Sequence, residues 1–289
     1  MGGTLPATMR LGPVHLKVGE RDRSLRFYQD MLGLSVLQDS DEEIWLGTSA
    51  APVLTLQVVP GAVPKPPGST GLYHYALLLP NRERLGRALR TLVEAEYPLQ
   101  GAADHLVSEA IYLADPDGNG IELYRDRPRE SWPNDDGQVR MATDPLDVDG
   151  VLAAGADEDG PALPAGTQTG HVHLHVADLG EAERFYGDVL GFDLVTRYGR
   201  QAAFYSVGGY HHHIGLNTWA GEGAPPPPDN AVGLAYFTMF LENASELGAV
   251  ADRVAEAGMK AEVASGSLFL VDPSGNRMQW GLQSNQDLP

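Results

Sequence analysis

The spacing of apolar residues changes period along the first sixty positions. Gly12-Pro-Val-His-Leu-Lys-Val18 reads as a strand. Asp22 or Ser24 can cap a helix that Arg26-Phe-Tyr-Gln-Asp-Met-Leu-Gly33 completes, with Leu25, Tyr28 and Leu32 on one face and glycine at the C-terminal end. Short strands are expected near residues 35–38, 43–47 and 53–59, so the unit is β-α-β-β-β. It recurs from Gly170-His-Val-His-Leu-His-Val176 through Arg184-Phe-Tyr-Gly-Asp-Val-Leu-Gly191 at a constant offset, which makes it an internal repeat. A second kind of unit starts at Gly71-Leu-Tyr-His-Tyr-Ala-Leu77, has a helix near residues 82–96 and ends in a hairpin. Its counterpart starts at Gly233-Leu-Ala-Tyr-Phe-Thr-Met239, has a helix near 244–257 and ends in Asp272-Pro-Ser-Gly-Asn-Arg-Met-Gln-Trp280. The chain thus holds four modules, two within residues 8–126 and two within 169–283. Residues 127–168, rich in Asp, Pro, Gly and Ala without clear periodicity, read as a linker packed along the surface.

The hairpin of the second module carries polar groups. Residues 111–114 read as a strand, 115–120 as a Pro/Asp/Gly/Asn turn and 121–124 as the returning strand. Along Gly120-Ile-Glu-Leu-Tyr124, Glu122 and Tyr124 leave one face while Ile121 and Leu123 leave the other. A carboxylate in such apolar company needs a cation, a metal or a set of donors, because burying it unpaired costs several kcal/mol. Glu122 is therefore read as a metal ligand.

At 289 residues the chain suits two domains of ordinary size. It has no cysteine, which excludes thiol catalysis and disulfides and leaves imidazole and carboxylate as the groups for any metal. The net charge of −19 argues against a nucleic-acid or anionic-membrane partner. No apolar run suits a membrane span and the N-terminus lacks a secretory pattern, so a soluble, cytoplasmic protein is expected.

Four βαβββ modules in two pairs, with histidine and glutamate on their strands, resemble the vicinal oxygen chelate superfamily of glyoxalases, bleomycin-resistance proteins and extradiol dioxygenases. The motifs Asp104-His-Leu-Val-Ser-Glu109 and Gly209-Tyr-His-His-His-Ile-Gly-Leu-Asn217 are similar to those of its bacterial catechol-2,3-dioxygenase group. The resemblance implies an α+β fold of two cup-shaped units, with ligands on the first and last strands of the modules.

First-strand candidates are His15, His74 and His173; module four has Tyr236 there and Gln279 in place of the last-strand Glu122. Two combinations supply two histidines and a carboxylate, the facial set suited to Fe(II), with Mn(II) the other ion in view. Pairing modules one and two gives His15, His74 and Glu122, a glyoxalase-type site with Gln57 as a possible fourth ligand. Pairing modules two and three gives His74, Glu122 and His173. Extradiol enzymes use a His-His pair whose second member is an acid/base, and a tyrosine ten residues before the glutamate. By that resemblance His212-His213 is the pair, with His213 as acid/base, and Tyr112 precedes Glu122 by ten. The full set requires modules two and three to share a cup, and one and four the other. Within the run 211–213, a strand would put His211 and His213 on one face. His105, His211 and Tyr124 are the expected pocket residues.

The implied reaction is cleavage of a small aromatic diol by O2. The alternatives are a metal-dependent isomerase or lyase of the glyoxalase type, using His15, and a non-catalytic small-molecule-binding protein. Association of copies as a homo-oligomer is compatible with such cups.

Overall fold

The computed structural model of the protein describes residues 5–283 apart from 42, 50, 136 and 137. Module one runs β1 (Arg10–Val18), α1 (Arg21–Leu25), a π-helical turn (Arg26–Met31), β2 (Ser35–Asp39), β3 (Ile44–Gly47) and β4 (Pro52–Val58). Module two runs β5 (Gly71–Leu78), α2 (Arg82–Glu94), β6 (Leu99–Asp104), β7 (Ser108–Ala114) and β8 (Gly120–Asp126). The connecting segment holds β9 (Asn134–Asp135), β10 (Gln138–Val139), β11 (Asp144–Pro145) and α3 (Val148–Ala154). Module three follows with β12 (Gln168–His175), α4 (Leu179–Glu183), a second π-helical turn (Arg184–Val189), β13 (Asp193–Tyr198), β14 (Ala202–Ser206) and β15 (Ile214–Asn217). Module four comprises β16 (Gly233–Leu241), α5 (Ala244–Glu256), β17 (Glu262–Ala264), β18 (Ser267–Val271) and β19 (Arg277–Leu282).

The modules pair out of chain order. One sheet, β17-β18-β19-β16-β1-β4-β3-β2, joins module four to module one through antiparallel β16 and β1. The other, β11-β6-β7-β8-β5-β12-β15-β14-β13, joins module two to module three through antiparallel β5 and β12. This is the pairing that an extradiol-like set of residues requires. Each module's helix covers the apolar face of its sheet. In α2, Asn81 caps the start by accepting the Arg84 N–H at 2.9 Å, and Leu85, Ala88, Leu89 and Leu92 form the buried stripe.

Although paired elsewhere by strands, modules one and two are tied directly. The buried carboxylate of Asp115, in the turn between β7 and β8, accepts the backbone N–H groups of Asp117 and Asn119 and the Asn119 amide. Its remaining capacity goes to the Tyr28 hydroxyl at 2.8 Å, on the module-one helix beneath the other sheet. Asp272 repeats the arrangement with Ser274, Asn276 and the Tyr186 hydroxyl, tying module four to module three.

The segment read as a linker is more ordered than its composition suggests. Helix α3 lies on α2 at the closest approach of Gly86 and Gly155, where a Cβ on Gly86 would stand 2.1 Å from the Val151 carbonyl. Arginines complete the contact, Arg82 donating to the Gly150 carbonyl and Arg90 to that of Ala156. Beyond Val151, buried in the core, and Leu152 against it, the packing uses glycines and arginine-to-carbonyl bonds, which leave only a very short apolar period to read.

Removing the Tyr28 hydroxyl deprives a buried carboxylate of one donor, worth about 1.5–3 kcal/mol. Tyr28→Phe and Tyr186→Phe are each expected to lower the unfolding free energy by about 2 kcal/mol, measured by urea denaturation with an unchanged denaturant dependence. A loss of only a few tenths would mean that the ties do not hold the sheets together.

Candidate metal centre

Three strands of the nine-stranded sheet bring one set of donor atoms together. Ala76 on β5 is the partner of both His171 on β12 and Glu122 on β8, so those two side chains flank a methyl group in one row across the sheet. His74 sits one pair further along β5, on the same concave face. The Nε2 atoms of His74 and His171 each lie 3.0 Å from Oε2 of Glu122 and 3.3 Å from one another. All three residues are buried.

This set fits a divalent cation. Bonds of about 2.1 Å at right angles put neighbouring ligand atoms about 3.0 Å apart, which is the spacing found. Protonation fits as well. Burial alone would raise the Glu122 pKa, but the adjacent His171 and His74 hold the carboxyl well below its usual range. Burial lowers His171 to about 4, against the pull of Glu122, so its imidazole is neutral near pH 7. An ionised carboxylate beside a neutral imidazole is the form in which these groups bind a metal. The Nδ1 atoms of His74 and His171 are buried without a partner among the described residues.

The side chain that joins His74 and Glu122 in this cluster is His171 rather than the expected His173. His171, His173 and His175 alternate onto one face, and the register with β5 selects among them. His173 stands opposite His74, and its Nε2 accepts a hydrogen bond from Asn217 Nδ2 at 3.0 Å. The Asn217 amide is oriented by its oxygen, which accepts from His175 Nδ1 and from the Trp219 N–H. The His173 lone pair is therefore engaged, and its ring packs between Tyr73, Trp219 and Phe204. His15 is removed altogether, on β1 of the other sheet. There it bonds Thr55 and Thr238 at 2.6 and 3.2 Å and stacks on Tyr236. The expected partner Gln57 lies on that sheet too.

The histidine run is not a strand; it is the loop before β15, so simple alternation fails. His213 turns away from the donor cluster: its Nδ1 bonds Ser206 Oγ at 3.0 Å and its ring lies by Tyr210. It lines a cavity of about 500 Å³ with Arg10, Leu78, Asp126, Trp132 and Tyr210, and none of the three donor residues reaches that space. The neighbour His212 takes the inward place, its ring centroid 4.0 Å from that of His171. His211 is fully buried, bonded to Asp126 and His212, and does not line that cavity.

Tyr112 does reach the concave face, as the cross-strand partner of Glu122. Its hydroxyl meets His105 Nε2 at 2.6 Å, and His105 Nδ1 donates to the Ala142 carbonyl, also at 2.6 Å. Burial and then the Glu122 charge hold the Tyr112 pKa well above 10. Tyr124 is buried beneath His171, with ring centroids 5.0 Å apart and its hydroxyl on Tyr210. Neither His171 nor Asp126 is singled out in the sequence, where His212 is named only as the first member of the pair and the acid/base role is given to His213. The parity of Glu122, Tyr124 and Asp126 along β8 was the available signal for Asp126.

With this geometry in hand, comparison with known proteins is direct. Residues 10–123 and 168–279 each match the model of the glyoxalase/bleomycin resistance protein/dioxygenase superfamily. The chain belongs to this superfamily. A catechol-2,3-dioxygenase of Bacillus subtilis (strain 168) is 49% identical over 267 residues, 91% of this chain and 93% of that protein. The likeness to that enzyme extends over nearly the whole of both chains. Among solved structures, a Bacillus subtilis protein provisionally described as a dioxygenase superposes with a TM-score of 0.65 at 13% identity, covering 94% of this chain and 84% of that one. Glyoxalase I of Zea mays superposes with a TM-score of 0.59 at 17% identity, over 96% and 93% of the two chains. Both share the fold. No helix among the described residues is long and apolar enough to cross a membrane.

The position of His213 is testable through pH. Burial, followed by His211 and His171, lowers its pKa to about 3, whereas in the unfolded chain it titrates near 6.5. Between those values only the unfolded state takes up the proton, so stability falls as pH falls from about 6.5 towards 3. His213→Gln is expected to flatten the dependence of unfolding free energy on pH near pH 5 by up to about 1.4 kcal/mol per unit. Urea denaturation at closely spaced pH values measures this; an unchanged slope would place a normally titrating imidazole there.

Proposed function

We propose that the protein is an extradiol ring-cleaving dioxygenase that opens catechol or a substituted catechol with O2, and that His74, Glu122 and His171 hold Fe(II), with Mn(II) the alternative ion. The observation that carries this reading is the meeting, on one concave face, of the two-histidine, one-carboxylate set with His212 and the Tyr112–His105 pair. The 49% identical relative named a catechol-2,3-dioxygenase supports it. The ion would supply coordination sites for the diol oxygens and for dioxygen, and a path for the electrons that pass from the diol to dioxygen.

The chain's own groups handle position and protons. His212 is held neutral, first by burial and then by His171 and its histidine neighbours, so it begins as an acceptor for the proton that a diol hydroxyl loses on binding. The same group returns that proton as the ring opens. Tyr112, kept protonated, rests with its one proton on Nε2 of His105, which is anchored on the Ala142 carbonyl through Nδ1–H. Turned away from His105, that proton would serve a substrate oxygen. Tyr73 and Trp219, partly exposed beside His173, offer ring faces against which an aromatic substrate can pass or rest. Catechol and O2 combine with nothing released: both oxygen atoms enter the product, a muconic semialdehyde.

Anaerobically Fe(II)-loaded protein is expected to consume O2 in step with catechol and to form a yellow ring-fission product. His171→Ala should weaken iron binding at least about tenfold, whereas His173→Ala should retain it, both read by metal analysis after dialysis. His212→Asn should keep iron and lower kcat by about 10²–10⁴. Absence of uptake with any catechol despite stoichiometric iron would overturn the reading in favour of an isomerase or lyase of the glyoxalase type.

A further inference from the structure

We infer that Asp126 is a positioning residue that acts through His211 to fix the tautomer of His212, leaving Nε2 of His212 as its free, unprotonated ring nitrogen. The role in turnover rests on the reaction proposed above; the tautomer does not.

The hydrogen bonds set a direction for every proton in the network. The carboxylate of Asp126 can only accept. Its Oδ1 takes the Nε2–H of His211 at 2.9 Å and its Oδ2 takes the Tyr210 hydroxyl proton at 2.9 Å. Tyr210, having given its one proton, accepts from Tyr124 at 2.8 Å. With a single ring proton, held on Nε2 by Asp126, His211 has a bare Nδ1, and that atom faces Nδ1 of His212 at 2.8 Å. Two ring nitrogens at this distance share one proton between them. With Asp126 holding His211 as the Nε2–H form, the shared proton belongs to His212 Nδ1. What remains is the His212 Nε2 lone pair, on a ring packed against His171 and Phe204.

Without the carboxylate the opposite arrangement becomes available. His211 would then donate from Nδ1, and His212 would carry its proton on Nε2, a form unable to accept one there. An asparagine at 126 can present either an oxygen or an NH₂ to His211 and so does not choose between the two. The anchor is well placed for the task, since Asp126, Tyr124 and Glu122 project from the same face of β8 and the strand that supplies the carboxylate ligand also supplies the orienting one.

The test is a long-range ¹H–¹⁵N correlation spectrum of histidine-labelled protein, both metal-free and loaded with Zn²⁺, because ring-nitrogen shifts distinguish the tautomers. The expected result is Nε2–H for His211 and Nδ1–H for His212. Tyr210→Phe, which removes the other bond to Asp126, should preserve this pattern, while Asp126→Asn should move His212 towards the Nε2–H form. An Nε2–H His212 in the native protein, or an unchanged spectrum in Asp126→Asn, would overturn the inference. In the iron-loaded protein, Asp126→Asn should lower kcat by about tenfold or more with KM and iron content within about twofold, and should add nothing in a His212→Asn background. A further loss in that background would mean that Asp126 acts by another route. The expected spectrum in a protein that consumes no O2 would sink the reaction while upholding the tautomer.

Discussion

The antiparallel seam between β5 and β12 is the constraint on which the centre depends. Its register places His173 against His74 and His171 against Ala76, and the parallel pairing of β5 with β8 places Glu122 against the same alanine. A side chain of any size at position 76 would stand between the carboxylate and the imidazole. The seam is also irregular. A bulge between His173 and Leu174 leaves Tyr73 without a partner on β12, so that His74 and Tyr73 both approach the concave side while Leu72 turns to the core. One strand thereby contributes a donor atom, the gap that lets two others meet, and an aromatic group for the rim.

The nine-stranded sheet buries two glutamates, and the contrast between them explains why only one can serve a cation. Glu109 on β7 is met by Arg82, Arg125 and Arg127, which more than neutralise it. Glu122 is met by two imidazoles and the Tyr112 hydroxyl, none of them a fixed positive charge. A buried carboxylate with no guanidinium or ammonium beside it keeps a net negative charge in a region of low dielectric, an arrangement that a divalent cation relieves. The other sheet lacks this imbalance. At the place corresponding to His74 it has Tyr236, and at that of Glu122 it has Gln279, whose amide donates to Ser267. Its histidine, His15, is satisfied by two threonine hydroxyls.

Much of this was legible in the chain. The Asp-Pro-Asp-Gly-Asn-Gly turn and the alternation after it located the hairpin and Glu122, because turn chemistry and strand parity are local properties. The repeat disclosed four modules, and the extradiol pattern of residues required the second to meet the third. The choice between His171 and His173 was not legible, since both lie on the same face and only the partner strand's register separates them. The repeat itself pointed to the other: His173 is the equivalent of His15, whereas His171, which joins His74 and Glu122 in the cluster, stands where module one has Pro13. His212 was ranked behind His213 for a related reason. Parity ranks neighbours within a strand, and residues 211–213 precede one. The helix α3 left little mark because, apart from Val151 and Leu152, its contact is made of glycines and arginines.

The crossed pairing also bears on how the chain reaches its native state. β1 must wait for β16, more than two hundred residues later, whereas β5 needs only β12. During synthesis the first half can dock internally through Tyr28 and Asp115 while offering two open strand edges. β12 closes one of them as soon as module three emerges. The topology therefore allows the three donor residues to meet before the last quarter of the chain exists. The second sheet, whose strands lie furthest apart in sequence, then becomes the slow and aggregation-exposed step of folding.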